Sequence, residues 1–180
     1  RDSSTSRGLG DVYKRQGMNI GMRHISLSTC GLTERFDQLA EKDMQFTLSV
    51  SLHAPDDETR SRLMPANRGR GVEQLIEKCR EYYQATGRRI SFEYAMIDGV
   101  NDSEYHARLL AKHARYVSAH VNLIPLNHVE EREFQPSRPE NMRAFIKILE
   151  DAGVNTTVRR KLGGDVDASC GQLRRKMGKS

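Results

Sequence analysis

Segments with the period of β-strands alternate along this chain with segments that have the period of α-helices, and this alternation constrains the fold more than any other feature. Apolar residues occupy every second position in "HISLST", "FTLSVSLH" and "ISFEYAM", and shorter strand-like runs follow in "VNLIPLN" and "TTVRR". Between these runs apolar residues recur with helical spacing, which predicts helices with one buried face. The alternation predicts an α/β fold of parallel strands, in an open sheet or a barrel.

Three residues mark the limits of predicted helices. Ser103, after "DGVND", predicts an N-cap, because its hydroxyl can accept a hydrogen bond from a free backbone N–H of the first turn. Pro139 suits the first turn of the last helix, where a missing N–H removes no hydrogen bond, and Gly153 predicts the end of that helix.

The predicted strands are polar on one face. In the first strand Ser26 and Ser28 lie on the side opposite Leu27. The second strand carries four polar residues on one side, namely Thr47, Ser49, Ser51 and His53. A wholly apolar barrel interior would not have this pattern, so we interpret the polar face as the lining of a site.

Parallel α/β folds bind their ligands at the carboxyl ends of the strands. By this rule the candidate site residues are Ser28, the stretch 51–53, Glu93 and Asn127. Each has a structural alternative. Ser28 and Ser51 can cap turns and His53 can be an ordinary loop histidine, while Glu93 can pair with a neighbouring arginine. The recurrence of polar residues at several strand ends favours a site.

The chain has three cysteines, which lie far apart and form no CxxC pair: Cys30, Cys79 and Cys170. Their spacing predicts neither a disulfide framework nor a zinc site, and it favours a reducing compartment, the cytoplasm. Cys79 falls on the apolar stripe of a predicted helix and is expected to be buried. No apolar run approaches the ~20 residues that a membrane span requires, so no membrane partner is expected.

The charge distribution indicates a polyanionic partner. The formal net charge is +5, with 29 lysine and arginine residues against 24 acidic ones. Basic residues lie on both sides of Cys170 in the sequence, and nucleic acid is the commonest polyanion that such a patch attracts. The candidate RNA-binding residues are Arg159, Arg160, Arg174, Arg175 and Lys176. A solvated basic run at the surface is the alternative.

Residues 1–16 are interpreted as a non-native scar. The stretch "SRGLGDVYKRQ" back-translates without a mismatch to a transposase sequencing adapter. We therefore expect residues 1–16 to be disordered and the natural sequence to begin near Gly17, within a longer gene. A flexible, charged natural N-terminus is the alternative.

Five segments of the chain together resemble one enzyme family. They are "GMRHISLSTCG", "SLHAPDDETRSRLMPANR", "RRISFEYAMIDGVNDSEYHA", "VNLIPLN" and "DVDASCGQLR". In combination they are similar to the radical S-adenosylmethionine methyltransferases of the RlmN and Cfr family, which methylate carbon 2 or carbon 8 of an adenine in 23S ribosomal RNA. The resemblance runs from about Gly17 to Arg175. It implies a partial (β/α) radical SAM barrel, truncated in residues 17–180 to strands three to six, a C-terminal strand and a cysteine loop.

The same resemblance implies roles for individual residues. Cys170 matches the cysteine that is itself methylated and then carries the methyl group to the RNA, and its small neighbours Ser169 and Gly171 suit a mobile loop. The residues that match S-adenosylmethionine-binding positions are Ser28, Ser51, Leu52, His53 and Asn127. Glu93 matches no catalytic role. The stretch "KLGG" departs from the family's "TRGDD" form, which leaves methylation of carbon 2 or carbon 8 open.

The implied cofactors are S-adenosylmethionine and a [4Fe–4S] cluster, and the implied substrate is 23S rRNA, with tRNA as a second candidate. The family's CxxxCxxC cluster motif does not occur in this sequence and is expected upstream. We therefore expect no metal site within this chain and no activity of the chain alone. The full-length parent is expected to be a monomer.

Two further functions are open from the residues. A phosphate-binding barrel fragment would fit the βα alternation, but "KLGGD" is a poor phosphate loop. A non-enzymatic RNA-binding module would use the basic tail and would need exposed aromatic residues for base stacking. Neither explains the five segments that carry the resemblance.

Overall fold

The computed structural model describes residues 25–30, 36–41, 46–64, 71–126 and 134–159. In these ranges strands and helices alternate, as the sequence predicts. The strands are β1 (Ser26–Thr29), β2 (Thr47–Ser51), β3 (Ile90–Met96), β4 (His120–Pro125) and β5 (Thr156–Val158). The helices are α1 (Phe36–Ala40), α2 (Asp57–Leu63), α3 (Val72–Thr86), α4 (Glu104–Val117) and α5 (Pro139–Asp151).

The five strands form one parallel sheet in the order β1-β2-β3-β4-β5. Each connection crosses over through a helix, which is how neighbouring parallel strands are joined. The prediction of a parallel α/β fold is therefore confirmed. Since every strand runs in the same direction, all five carboxyl ends lie along one edge of the sheet.

One face of the sheet is apolar and carries the core. The register aligns Leu48 with Ile90 and Phe92 with Val121, and all four side chains are fully buried. Helices α1, α3, α4 and α5 supply the other side of this core, with buried residues that include Phe36, Leu75, Cys79, Leu110, Phe145 and Leu149. Helix packing on this face leaves the polar face of the strands on the opposite side.

The predicted helix limits are confirmed. The Ser103 hydroxyl accepts a hydrogen bond from the backbone N–H of His106 at the start of α4. Helix α5 begins at Pro139, and Gly153 follows its end with a φ of +73°, a left-handed conformation that glycine adopts without a side-chain clash. These signals are local, so the sequence carries them in full.

Strand β1 forms an edge in the described part of the chain, where β2 is its one partner. Its Ile25 and Leu27 side chains are 36% and 39% exposed. No helix among the described residues combines the length and the apolar character needed to cross a membrane.

Candidate active site

Two rows of polar side chains cross the face of the sheet opposite the helices. The strand register places Ser28, Ser49, Ser91 and His120 in one row. One pleat closer to the carboxyl edge lies the second row, Ser51, Glu93, Asn122 and Thr157. Alternate residues of a strand point to the same face, so all of these side chains lie on one side, which we call the polar face.

Glu93 is held at the centre of the polar face by neutral partners. Ser91 Oγ donates to Glu93 Oε1 at 3.1 Å, and Asn122 Nδ2 donates to Glu93 Oε2 at 2.6 Å. Among the described residues no arginine pairs with Glu93, and its interpretation as the partner of an arginine stays a prediction. Among the described residues the carboxylate is bound by a hydroxyl and an amide, in direct register with Ser51.

His120 closes this network. Its Nδ1 lies 3.1 Å from Ser91 Oγ, whose hydrogen is used by Glu93, so Nδ1 is the donor. Burial lowers the pKa of His120, which favours the neutral ring, and its Nε2 lies 3.1 Å from Thr157 Oγ1. The Thr157 hydroxyl also lies within hydrogen-bond distance of Asn122 Oδ1, at 3.3 Å. The network is thus hydrogen-bonded from β3 to β5, which fixes the orientation of the Glu93 carboxylate.

The backbone groups of the turn that follows β2 are hydrogen-bonded within the protein. The N–H groups of Leu52 and His53 both donate to the carbonyl of Glu93, at 3.0 and 3.2 Å. The carbonyls of Ser51 and Leu52 accept from the Arg60 guanidinium, and the His53 carbonyl accepts from Asn101 Nδ2. Within the described part of the chain, the Ser51 hydroxyl and His53 Nε2 remain without a hydrogen-bond partner. These two side-chain groups are therefore the candidates for ligand contacts at the carboxyl edge.

His53 is a neutral donor with a defined tautomer. The backbone N–H of Ala95 donates to His53 Nδ1 at 3.1 Å, so the proton of the neutral ring is on Nε2. Burial, and next the charge of Arg60, lower the pKa of His53 to about 4. The backbone has a φ of +58°, which is rare for a residue with a side chain and turns the ring across the end of β3.

The depressed pKa of His53 predicts a pH dependence of stability. Between pH 6.5 and about 4 the unfolded chain binds a proton at this position that the folded chain does not, so the free energy of unfolding falls as the pH falls. One proton contributes at most about 1.4 kcal/mol per pH unit. The comparison is urea unfolding of the protein and its His53→Asn variant from pH 7 to 4.5, in which the variant is expected to have the shallower slope. Equal slopes, or a His53 pKa near 6.5 by NMR, would contradict this.

Asn101 and Arg60 are site residues that the sequence reasoning missed. Asn101 is 0% exposed, accepts from the Ile97 N–H at 2.8 Å, and donates to the His53 and Ala95 carbonyls at 2.7 Å each. It therefore ties the end of β3 to the turn after β2. In the sequence, the "DGVND" segment indicates only the start of a helix. The presence of an asparagine in it was the one signal that could have pointed to this role.

The structure brings three of the predicted cofactor-binding residues to the polar face and its carboxyl edge. Ser28 is exposed on β1, Ser51 lies at the end of β2, and His53 follows it. Leu52 differs, because its side chain is 0% exposed and lies in the core. Arg159 is exposed beyond β5, with its N–H bonded to the Leu123 carbonyl. The remaining predicted residues lie outside the described ranges, namely Asn127, Arg160, Cys170, Arg174, Arg175 and Lys176.

The described cysteines do not fit an iron–sulfur cluster. Cys79 is buried in the helix core as predicted, and burial raises the pKa of its thiol to about 12, whereas a cluster requires thiolates. Cys30 lies at the end of β1, on a different element. In the part of the chain that the structure describes, no three histidine, cysteine or acidic side chains are grouped to hold a metal ion.

The groups at the carboxyl edge offer hydrogen bonds to a polar ligand. Ser51 offers a hydroxyl that both donates and accepts, and His53 offers a fixed N–H donor beside it.

Two curated relatives match nearly the whole chain. The probable dual-specificity RNA methyltransferase RlmN of Desulforamulus reducens is 52% identical over 93% of the chain, and that of Caldanaerobacter subterraneus is 51% identical over 92%. A crystal structure of a radical SAM methyltransferase from Sphaerobacter thermophilus matches 89% of the chain with a TM-score of 0.82 and 46% identity. This chain is homologous over nearly its whole length to proteins named RlmN. The expectation drawn from its five segments is confirmed.

The chain covers only part of the length of the proteins that it matches. The chain spans about half the length of the curated relatives it matches, 48% of each, and 47% of the Sphaerobacter chain. A domain of a pyruvate-formate lyase-activating enzyme from Bacteroides vulgatus, 21% identical with a TM-score of 0.62, shares the fold. The sheet is therefore part of a radical SAM fold, as expected. No protein-family model matches the chain.

Proposed function

We propose that this chain is the part of an RlmN-type enzyme that holds S-adenosylmethionine at the carboxyl edge of its sheet and carries the methyl-transferring cysteine. The substrate is an adenine of 23S rRNA, methylated at carbon 2 in the cytoplasm, with tRNA as a second substrate and a monomer as the working form. The observation that carries the proposal is a pair of side-chain groups, Ser51 Oγ and His53 Nε2, that have no hydrogen-bond partner among the described residues, on a turn whose backbone is hydrogen-bonded within the protein.

Ser51 and His53 suit the polar parts of S-adenosylmethionine. The neutral His53 Nε2–H donates to an acceptor nitrogen or oxygen, and the Ser51 hydroxyl accepts from or donates to a ribose hydroxyl. Ser28 on the adjacent strand and Asn127 beyond β4 complete the proposed contact set. Leu52 supports the site indirectly, because its buried side chain anchors the turn to the core.

The chemistry requires a carrier for the methyl group. Carbon 2 of adenine is electrophilic and has no acidic proton, so a direct polar transfer from a sulfonium does not reach it. When bound, S-adenosylmethionine supplies the methyl group, and the [4Fe–4S] cluster of the full-length enzyme would supply the electron that its radical chemistry requires. Cys170 is the proposed carrier, with its Sγ accepting the methyl group and then presenting it to the base.

RNA binding is assigned to the basic residues around this cysteine. The proposed contacts are Arg159, Arg160, Arg174, Arg175 and Lys176. Neutralising phosphates with such residues releases counterions, so affinity for rRNA is expected to fall as salt rises. A stacked or paired target adenine must also leave its stack to reach the cysteine.

The cofactor contacts are tested in a chimeric enzyme, in which residues 17–180 of this chain replace the corresponding stretch of the Desulforamulus reducens relative. Ser51→Ala deletes one contact. His53→Asn retains a residue type that tolerates the left-handed backbone and retains an acceptor for the Ala95 N–H, but it deletes Nε2–H. Each variant is expected to raise the dissociation constant of S-adenosylmethionine by roughly 5- to 30-fold, the worth of one hydrogen bond of this kind.

Ser26→Ala is the matched control, because Ser26 lies on the polar face at the amino end of β1 and bonds Ser49 instead. The dissociation constant of S-adenosylmethionine is expected to be unchanged in Ser26→Ala. Unchanged affinity in both Ser51→Ala and His53→Asn would contradict the proposed contacts. Mass spectrometry of nucleosides from methylated 23S rRNA then separates carbon 2 from carbon 8 methylation. A chimera that binds RNA but neither binds S-adenosylmethionine nor methylates would indicate an RNA-binding module instead.

A further inference from the structure

A buried arginine joins the carboxyl ends of β1 and β2. Arg60 lies on α2 and is 2% exposed. Its Nε donates to the Leu52 carbonyl at 3.0 Å, and its Nη2 donates to the Cys30 carbonyl at 2.9 Å and to the Ser51 carbonyl at 3.3 Å. One guanidinium therefore binds three main-chain oxygens from two strand ends.

Burying this charge is unfavourable unless its donors are satisfied. Burial lowers the pKa of Arg60, and the charge of nearby Asp57 acts in the opposite direction. A guanidinium remains protonated in proteins and presents its donors in a rigid planar fork. That fork fits carbonyls that diverge from two strands, which a lysine ammonium or an apolar side chain cannot hold in the same way.

Two of the three carbonyls that Arg60 binds belong to the turn after β2, which carries the Ser51 hydroxyl and the His53 ring. The Ser51 and Leu52 oxygens are held by the guanidinium, and the Leu52 and His53 N–H groups are held by the Glu93 carbonyl. The turn is thus fixed from opposite sides. With the turn held in this way, the Ser51 hydroxyl and the His53 ring keep one orientation relative to the end of β1.

We propose that Arg60 is a positioning residue for S-adenosylmethionine, which fixes the turn after β2 against the end of β1 so that both strand ends bind the cofactor as one preformed site. The inference rests on the proposed function of this edge. A preformed site does not lose the conformational entropy of ordering the turn when the cofactor binds, and this raises affinity without a direct contact.

The test uses the chimeric enzyme with Arg60→Lys, which keeps the charge but not the fork, and Arg60→Met, which removes both. Arg108→Met is the control, since Arg108 is an exposed arginine that pairs with Glu104 on α4. We expect Arg60→Met to raise the KM for S-adenosylmethionine by at least about tenfold, with Arg60→Lys intermediate. The KM for RNA and the control are expected to change less than about twofold.

A purely structural role would instead lower the amount of active enzyme and leave both KM values unchanged. That outcome, or an unaltered KM for S-adenosylmethionine in both Arg60 variants, would overturn the inference. If the unsubstituted chimera itself fails to bind S-adenosylmethionine, the proposed function fails rather than the role of Arg60.

A second measurement does not depend on the variants folding. Hydrogen exchange of the Arg60 Nε–H, followed by NMR in the unsubstituted chimera, is expected to slow when S-adenosylmethionine is added, because the cofactor locks the turn that Arg60 holds. Exchange that is identical with and without bound cofactor would contradict a positioning role.

Discussion

The Cys170→Ala variant of the chimeric enzyme is expected to lose all methyl transfer to RNA while it keeps its melting temperature and its affinity for S-adenosylmethionine. The reason is chemical, because alanine has no sulfur to accept the methyl group and adenine carbon 2 has no direct polar route to it. A thiol that lies in the sequence between the small residues Ser169 and Gly171 is expected to contribute little to packing. The measurement is transfer of a labelled methyl group to 23S rRNA, together with thermal unfolding.

Cys79→Ala is the matched control, since it removes a thiol from the core instead of from the loop. Its side chain is 0% exposed on α3, so the variant is expected to lose roughly 1–3 kcal/mol of unfolding free energy through the cavity it leaves. It should still methylate RNA at temperatures where it is folded. Methylation that survives in Cys170→Ala would remove this cysteine from the mechanism.

Asn101→Leu is expected to give the largest loss of stability among single changes around the site. Leucine has a similar shape but leaves the buried Ile97 N–H and the partly buried carbonyls of His53 and Ala95 without the partner that Asn101 provides. A lost partner of a buried polar group costs about 1–3 kcal/mol, and a partly buried group loses less, so the expected loss is about 2–4 kcal/mol of unfolding free energy. Urea unfolding of the chimera measures it.

The exposed Asn155, before β5, provides the comparison. Asn155→Ala is expected to change the unfolding free energy by less than about 0.5 kcal/mol, as surface substitutions usually do. If Asn101→Leu cost less than about 1 kcal/mol, the three hydrogen bonds would not be what holds the turn after β2 to the end of β3. We expect Asn101→Leu also to lower the affinity for S-adenosylmethionine, because the turn that carries His53 loses its hydrogen bond to Asn101.

The sequence alone determined the class of fold and the side of the sheet on which a site lies. Strand and helix periods are properties of short segments, and so are the signals at Ser103, Pro139 and Gly153, which the structure confirms. The polar alternation of "FTLSVSLH" already placed Ser49 and Ser51 on one face. The family followed from five segments whose combination, rather than any single residue, is distinctive.

Only the tertiary structure decided which groups of the site are available to a ligand. Nothing local distinguishes Arg60 from an arginine on the surface of a short helix, or Glu93 from a partner of a nearby cation. The strand register, which depends on packing between distant segments, brings Asn122 to Glu93 and brings the ends of β1 and β2 together at Arg60.

The tautomer of His53 is also determined by the tertiary structure. Its Nδ1 meets the N–H of Ala95, which is 42 residues away in the sequence, and its lowered pKa comes first from burial. Hydrogen bonding and desolvation depend on what surrounds a group in space, whereas periodicity and capping depend on neighbours in the chain. The sequence therefore contained the elements of the site, and the packing of the sheet determined their protonation and orientation.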